Sequence, residues 1–420
     1  MWINFDCLDA DKTRTYLERS KSSPISLSLK RKRDLAPCDS FLQIVSHDIR
    51  RLKSLSIKVV PEILQDITAQ LFLPAPLLEN LSIDGSCGYT SDRIPVLTST
   101  IFNGDLSSLR ELRLEFALTE LPWRNMVNLV SFTLARIPLG GVSIGHLLDF
   151  FESAPRLREV ELTSATPTSG AQDGRLVSLG CLKRMSIIGS EPPSLLLDHL
   201  LIPVGAMLTT QGDFLGPLIE DHLPKSLDNL RNLSGFTKIH LYASEWHPHV
   251  RFSGPNGQVT MVPVADRIET IHLVLEALTR FDTSGVERLE IEHGDPSSTG
   301  LPYQTLLSMK RLRTLTLSRC RSMHIFIDAL RPRARWEDVV CPELEQLVLV
   351  PRLGREELDI DCIVTMATAR ASRGAKLRSV KIVSHDGALK IEALKLEGHV
   401  LRVKCGPDVG GANDDSGEES

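Results

Sequence analysis

The stretch Leu312-Arg-Thr-Leu-Thr-Leu-Ser-Arg-Cys320 decides the fold of this chain. Its apolar residues stand at the first, fourth, sixth and ninth positions. Leu315 and Leu317 are two residues apart, so they face the same side of a short strand. Leu312 comes three residues before Leu315 and turns in from the preceding loop. The stretch therefore predicts a strand with one apolar face.

The same apolar spacing recurs along the chain, with Ile, Val, Phe or Met accepted beside Leu. Eleven such frames begin at Leu52, Leu78, Leu109, Leu129, Leu157, Leu182, Phe236, Val286, Leu312, Leu344 and Leu377. Successive frames start 26, 31, 20, 28, 25, 54, 50, 26, 32 and 33 residues apart. A leucine-rich repeat has this consensus and a period of roughly 20–29 residues. Two steps are much longer than the others, so each is predicted to contain a degenerate repeat.

The repeats predict an α/β fold, namely a right-handed leucine-rich-repeat solenoid (horseshoe) with irregular repeats and a parallel sheet on its concave side. Parallel strands need crossover connections, which must carry apolar residues of their own, and strand twist makes these crossovers right-handed. Residues 144–154, 265–281 and 361–372 have helical apolar spacing. Ser143 is the predicted N-cap of the first helix. The second helix segment also fits a strand frame over residues 268–273.

Composition limits the classes of function. Lys and Arg number 48 against 53 Asp and Glu, which gives a formal net charge of −5 with both signs mixed. A nucleic-acid partner needs a basic surface, so none is expected. The most apolar run, residues 195–208, is interrupted by Asp198 and His199, so no membrane span is predicted. The N-terminus lacks a basic segment followed by an apolar stretch, so no secretory signal is predicted either.

The cysteines favour a reducing compartment. No two of the eight have the C-x-x-C spacing of a zinc or redox pair. Cysteines such as Cys320 stand inside apolar patterns, where cysteine acts as a small hydrophobic residue. A cytoplasmic or nuclear location is therefore expected.

Two motifs suggest chemistry, but both have simpler interpretations. Gly141-Val-Ser-Ile-Gly145 matches the nucleophile elbow of α/β hydrolases, which requires a strand running directly into a tight turn. The nearest strand ends near Leu134, and helix capping explains Ser143. Trp246-His-Pro-His249 has two histidines where a metal site needs three or four ligands, so an exposed polar loop is predicted. No catalytic residue, metal site or cofactor is predicted, and the chain is expected not to be an enzyme.

The predicted binding residues flank the last two apolar residues of each frame, where side chains point away from the core. They are Glu111, Arg113, Glu115, Glu159, Glu161, Arg184, Lys238, His240, Tyr242, Arg288, Glu290 and Glu292. One interpretation is ordinary strand polarity, and the other is a charged recognition surface of the kind that solenoids present. Mixed signs favour a protein or peptide partner over nucleic acid. The chain is expected to be a monomer.

The N-terminal segment resembles that of fungal, especially basidiomycete, F-box proteins with leucine-rich repeats. Trp2-Ile-Asn-Phe5 is similar to the linker that follows their F-box. The segment from Leu17 to Leu29 is similar to the sequence motif at the end of their first helix. Pro74 to Ile83 and Leu121-Pro-Trp123 resemble their repeats. The resemblance implies substrate recognition for a cullin-RING (SCF-type) ubiquitin ligase. A Skp-type adaptor is an expected partner only if an F-box exists upstream of Met1.

The sequence predicts three parts. Residues 1–48 form an N-terminal cap or the remnant of an F-box-to-repeat linker, and residues 49–405 form the solenoid with C-terminal capping strands. Residues 406–420 form a disordered acidic tail. The expected function is a non-enzymatic protein-recognition scaffold for an unknown protein substrate, resembling the substrate-binding half of an F-box receptor. A stand-alone repeat interaction protein, or a truncated family member with no ligase role, is the alternative.

Overall fold

The chain is an α/β protein that divides into two compact units. Unit 1 comprises Met1–Phe214 and Glu220–Ser234, and unit 2 comprises Leu215–Ile219 and Gly235–Ser420. The computed structural model describes residues 3–6, 10–30, 47–86, 96–97, 100–119, 126–137, 143–165, 174–189, 191–212, 222–243, 248–263, 270–279, 281–294, 300–332, 339–352, 358–383, 400 and 402–406.

Unit 1 contains a parallel sheet whose strands pair in chain order. The strands are β1 (Ile3–Asp6), β2 (Ile25–Lys30), β3 (Leu52–Lys58), β4 (Asn80–Asp84), β6 (Glu111–Glu115), β8 (Ser131–Ala135), β9 (Glu159–Thr163), β11 (Arg184–Gly189) and β13 (Met207–Gly212). Two short parallel pairs lie apart from this sheet. They are β5 (Val96–Leu97) with β7 (Leu118–Thr119), and β10 (Val177–Ser178) with β12 (Leu200–Leu201).

The helices of unit 1 lie in the connections between these strands. They are α1 (Ala10–Ser20), α2 (Pro61–Gln70), α3 (Ile144–Ser153) and α4 (Ser194–Leu197). The prediction for α3 is confirmed, because the Ser143 side chain accepts a hydrogen bond from the His146 backbone N–H at 3.2 Å. Leu147, Leu148 and Phe151 of α3 are buried, as their helical spacing predicts.

Unit 2 combines parallel strands with one antiparallel hairpin. Its strands are β14 (Lys238–Tyr242), β15 (His249–Gly254), β16 (Gly257–Pro263), β17 (Arg288–Glu292), β18 (Thr314–Ser318), β19 (Gln346–Val350), β20 (Ser379–Val383) and β21 (Arg402–Gly406). Strand β14 pairs in parallel with β17, and β18 to β21 follow in parallel order. The hairpin of β15 and β16 pairs antiparallel with the other edge of β14.

The helices of unit 2 are α5 (Thr270–Leu278), α6 (Gly300–Ser308), α7 (Met323–Ala329) and α8 (Ile360–Ala371). The predicted third helix is confirmed by α8, which begins at the N-cap Asp359. Helix α5 confirms the helical interpretation within residues 265–281, so the alternative strand frame over residues 268–273 is wrong. Residues 264–269 lie outside the described part of the chain.

The apolar positions of the eleven frames form the core of each unit. All of these side chains are buried, and Phe236, at 8%, has the largest exposed fraction among them. The predicted core residues Leu112, Leu114, Leu289, Ile291, Leu315 and Leu317 are each at most 1% exposed, which confirms the strand register. Neighbouring frames pair in register, so the apolar side chains form continuous rows, for example Leu289 with Leu315 and Leu347.

The two long steps between frames have different structures. The first contains β13, so the predicted extra repeat strand is present, although Thr210 occupies a position that is apolar in other frames. The prediction of a degenerate repeat in the second step is wrong. There β14 pairs directly with β17, and the additional residues form the β15–β16 hairpin and α5.

At the C-terminal end of unit 2, β21 pairs in parallel with β20, as a capping strand would. The closing strands are predicted over Leu389 to Val403, and residues 389–399 and 401 of this segment lie outside the described residues, as do residues 407–420 of the predicted acidic tail.

Several strands end in the same backbone conformation. The next residue is a non-glycine residue with φ between 46° and 60° in five repeats: Phe116, Arg136, Ser164, His293 and Arg319. Its backbone N–H donates to a carbonyl of the following repeat, as Phe116 does to Ala135 at 3.1 Å and His293 does to Ser318 at 2.9 Å. This left-handed residue therefore satisfies a backbone donor where each strand turns into its crossover.

Candidate functional site

The twelve predicted binding residues all occupy outward positions of the parallel strands, opposite the buried rows. Each alternates with buried neighbours, and none of the twelve side chains is buried. They fall into two groups, one in each unit. The unit 1 ladder is Glu111, Arg113, Glu115, Glu159, Glu161 and Arg184, and the unit 2 ladder is Lys238, His240, Tyr242, Arg288, Glu290 and Glu292.

In unit 1, a strip of small side chains on β8 separates the ladder residues of β6 from those of β9. Strand β8 lies between β6 and β9, and its register places Ser131 between Glu111 and Glu159. Parallel strands are about 4.8 Å apart, so the ladder residues of β6 and β9 are separated by about 10 Å. Of the outward residues of β8, Ser131 and Thr133 are partly exposed and Ala135 is buried. The strip is therefore a shallow surface on which a partner chain can lie.

Ion pairs neutralise part of the unit 1 ladder. Glu115 pairs with Arg113 and with Arg136 at 3.2 Å each, and Glu159 pairs with Arg184 at 2.5 Å. Within the described part of the chain, Glu111 and Glu161 have no ion-pair partner, and both side chains are exposed. These two carboxylates retain charge that a partner can match.

The unit 2 ladder is brought together by the pairing of β14 with β17. The register places Lys238 beside Arg288, His240 beside Glu290, and Tyr242 beside Glu292. The Glu290 carboxylate lies 3.1 Å from the Lys238 ammonium and 2.8 Å from the Arg288 guanidinium. The frames that supply these residues begin 50 residues apart, so only the pairing makes them neighbours.

Residues outside the frames complete an aromatic and histidine cluster around Tyr242. The ring of His249 on β15 stacks on Tyr242 with centroids 5.0 Å apart. His293, just after β17, meets Tyr242 edge-on at 5.5 Å, and the rings of His240 and His249 are 5.4 Å apart. Glu292 lies 4.0 Å from His240 and 3.8 Å from His293.

The sequence frames did not identify His249 or His293. The prediction of an exposed polar loop is wrong for His249, which begins β15 and is half-buried, while residues 244–247 lie outside the described residues. The alternation of apolar and polar residues from His249 to Phe252 was the available signal for a strand. His293 stands one position beyond the outward residues that the frame selects.

Two histidines of the cluster, His240 and His293, favour their neutral form. Burial lowers the pKa of His240 below its ordinary value, and the carboxylate of Glu290 opposes this shift. Burial also lowers the pKa of His293, against the opposing charge of Glu292. At neutral pH these rings therefore offer aromatic surface and neutral hydrogen-bonding groups rather than full charges.

A cavity of about 470 Å³ lies in unit 2 beside α7 and the start of α8. Its walls include Met323, Asp328, Asp359 and Cys362. Burial raises the pKa of the Cys362 thiol, and the charges of Asp359 and Asp328 raise it further. Because the thiolate is the reactive form of cysteine, this environment does not activate Cys362 as a nucleophile.

The described residues contain no group of three or more His, Cys, Asp or Glu side chains placed to hold a metal ion. No helix among them combines the length and apolar character required to cross a membrane. Comparison with known protein families and with characterised proteins finds no match for this chain.

Proposed function

We propose that this chain is a non-enzymatic recognition scaffold that binds a partner protein through the outward faces of its parallel strands. The observation that carries this proposal is the register of the two ladders. Because the apolar positions of every frame are buried, the polar side chains between them are held on a stiff sheet about 4.8 Å apart. A surface whose backbone is preorganised in this way binds with little loss of backbone freedom.

We also propose that the repeating units are leucine-rich repeats. The eleven frames each coincide with one strand, and the consensus strand leads into a crossover, as it does here. The ninth position, which the consensus gives to Asn or Cys, is buried in Ala117, Ala165 and Cys320. The left-handed residue before it recurs in the same three repeats.

The resemblance of the N-terminal segment supports a more specific role, the presentation of a substrate to a cullin-RING ubiquitin ligase. In the segment that resembles the family's sequence motif, α1 ends at Ser20 and β2 begins at Ile25. Translating the genomic DNA upstream of Met1 tests this role. An in-frame helical segment of the Leu-Pro-x-Glu type would support binding of a Skp-type adaptor, whereas a close upstream stop codon would favour the stand-alone alternative.

The scaffold role is tested by capturing partners from a lysate of the source organism. One variant reverses Glu111 and Glu161 to Lys in unit 1, and a second changes Tyr242 and Arg288 to Ala in unit 2. A matched control reverses Asp66 and Glu276, exposed carboxylates on α2 and α5, to Lys. We expect specific partners to be lost only with a ladder variant. An unchanged set of partners in both ladder variants, with folding verified, would contradict binding through the strand faces.

A further inference from the structure

Unit 2 carries a strong excess of positive charge on the outward face of its sheet and at the carboxyl ends of the strands. We call this surface the basic face, and it is formed by Lys238, Arg251, Arg288, Arg319, Arg352 and Lys381. The carboxylates on the same surface are Glu290 and Glu292, so the described residues give it a formal net charge of +4. The whole chain, in contrast, has a net charge of −5.

Both carboxylates of the basic face are already engaged by neighbouring cations. Glu290 is held between Lys238 and Arg288. Glu292 lies 3.6 Å from Arg319 and close to two histidine rings. The negative groups are therefore satisfied within the sheet, and they do not neutralise Arg251 or Arg352.

Two arginines of the basic face have no ion-pair partner among the residues that the structure describes. Arg251 lies on β15 opposite His240, and Arg352 follows β19. Both side chains are exposed. Four strand spacings separate β15 from β19, which is about 19 Å across the sheet, and Arg352 stands four residues beyond Val348, the residue of β19 that is level with Arg251. About six to eight residues of extended chain cover the distance between the two arginines.

We propose that the basic face binds an extended acidic segment of a partner protein, with carboxylates at the two ends of the segment on Arg251 and Arg352. Tyr242 lies on β14, between β15 and β19, and with the ring of His249 stacked on it offers apolar contact to the segment. This inference rests on the proposed scaffold function, and it adds the chemistry of the partner that unit 2 accepts.

The arrangement of charge favours a peptide over a nucleic acid. Glu290 and Glu292 lie in the middle of the basic face, between the two arginines. A nucleic-acid backbone carries a negative charge at every phosphate and would pass over these carboxylates. A peptide can place neutral residues over Glu290 and Glu292 and keep its acidic residues for the ends.

The test measures the binding of fluorescent probes to the full chain by anisotropy at low salt. The probes are an eight-residue peptide with two glutamates at each end and four serines between them, its glutamine counterpart, and a single-stranded oligothymidylate. The test variant is Arg251→Gln with Arg352→Gln. The matched control is Arg313→Gln with Arg378→Gln, which removes two exposed arginines that precede β18 and β20 at the opposite edge of the strands.

We expect the acidic peptide to bind the wild type and the control with equal affinity. It should bind the test variant about tenfold more weakly, because that variant lacks the two guanidinium groups that meet the terminal carboxylates. We expect the glutamine peptide to bind none of the three. The proposal is overturned if the acidic peptide does not bind, if both double variants weaken it equally, or if the oligothymidylate binds more tightly. The peptide experiment can fail while partners from the lysate are still lost with a ladder variant. That combination would overturn only the proposed acidic partner and would leave the proposed scaffold function in place.

Discussion

At the scale of single residues, His222 links the stability of unit 1 to pH. Its ring is 2% exposed, with Nδ1 3.1 Å from the Thr210 hydroxyl, and burial lowers its pKa to about 4. An unfolded histidine titrates near 6.5, so below that pH the unfolded chain binds a proton that the folded chain excludes. Stability therefore falls as the pH is lowered from about 6.5 to about 4, by about 2 kcal/mol between pH 7 and pH 5.

Urea denaturation at pH 7 and pH 5 checks this prediction. We expect His222→Gln to reduce the stability difference between the two pH values, since glutamine does not titrate. His146→Gln, at an exposed position on α3, is the control. Equal pH dependence in the wild type and His222→Gln would show that other groups dominate the titration.

Arg370 is a second residue whose role depends on burial. Its side chain is fully buried in α8, and the guanidinium donates to the carbonyls of Val340 at 2.5 Å and Cys341 at 2.8 Å. Burial lowers its pKa. We expect Arg370→Met to destabilise the protein by about 1–3 kcal/mol, because among the described residues it leaves the Val340 carbonyl without a donor, whereas the Cys341 carbonyl still accepts from the Leu344 backbone N–H at 3.0 Å. Denaturation in urea measures the change.

Arg378→Met is the control for this prediction, because Arg378 is exposed and we expect a change below about 0.5 kcal/mol. If Arg370→Met left stability unchanged, the prediction would be wrong. That result would mean that desolvating the guanidinium costs as much as its two hydrogen bonds contribute.

At the scale of the elements, the left-handed residue that follows five of the strands allows the effect of a glycine substitution to be predicted. Ser164 follows β9 with φ of 46° and is exposed. A non-glycine residue in this conformation costs roughly 1–2 kcal/mol, whereas glycine loses roughly 0.5–1 kcal/mol more backbone entropy on folding. We expect Ser164→Gly to stabilise the protein by about 0.5–1 kcal/mol in thermal denaturation. Ser131→Gly, within β8, should instead destabilise it, and the same sign for both substitutions would refute the conformational explanation.

At the scale of the whole molecule, stability depends on continuous apolar rows rather than on single contacts. In unit 2, Leu315 pairs with Leu289 on one side and Leu347 on the other. We expect Leu315→Ala to cost about 2–5 kcal/mol, because the cavity lies within a row that neighbouring strands cannot close. Thermal denaturation measures the loss, and Thr316→Ala on the outward face should change little. Unchanged unfolding of Leu315→Ala would mean that the strand register is wrong.

The local pattern of apolar and polar residues predicted some of the residues of the basic face but not others. Alternation along each frame was sufficient to identify Glu290 and Glu292 as outward residues of β17, because side-chain direction in a strand depends only on parity. It did not identify Arg251, which stands in no frame, or Arg352, which stands at the ninth position of the Leu344 frame, beyond the outward positions. Their place on the basic face depends on which strands lie beside β14 and on where β19 ends.

The sequence by itself determined the strands of the eleven frames, their apolar faces and the direction of their polar side chains, because the spacing of apolar residues is local and decides which face of a strand is buried. Only the tertiary structure decided that β14 lies between β17 and an antiparallel hairpin, and that the rings of His249 and His293 contact Tyr242. It also decided the partners of Arg370 and His222. These contacts join segments that are far apart in the chain. Their free energy depends on burial and on neighbouring charges, and neither can be deduced from the local spacing of residues.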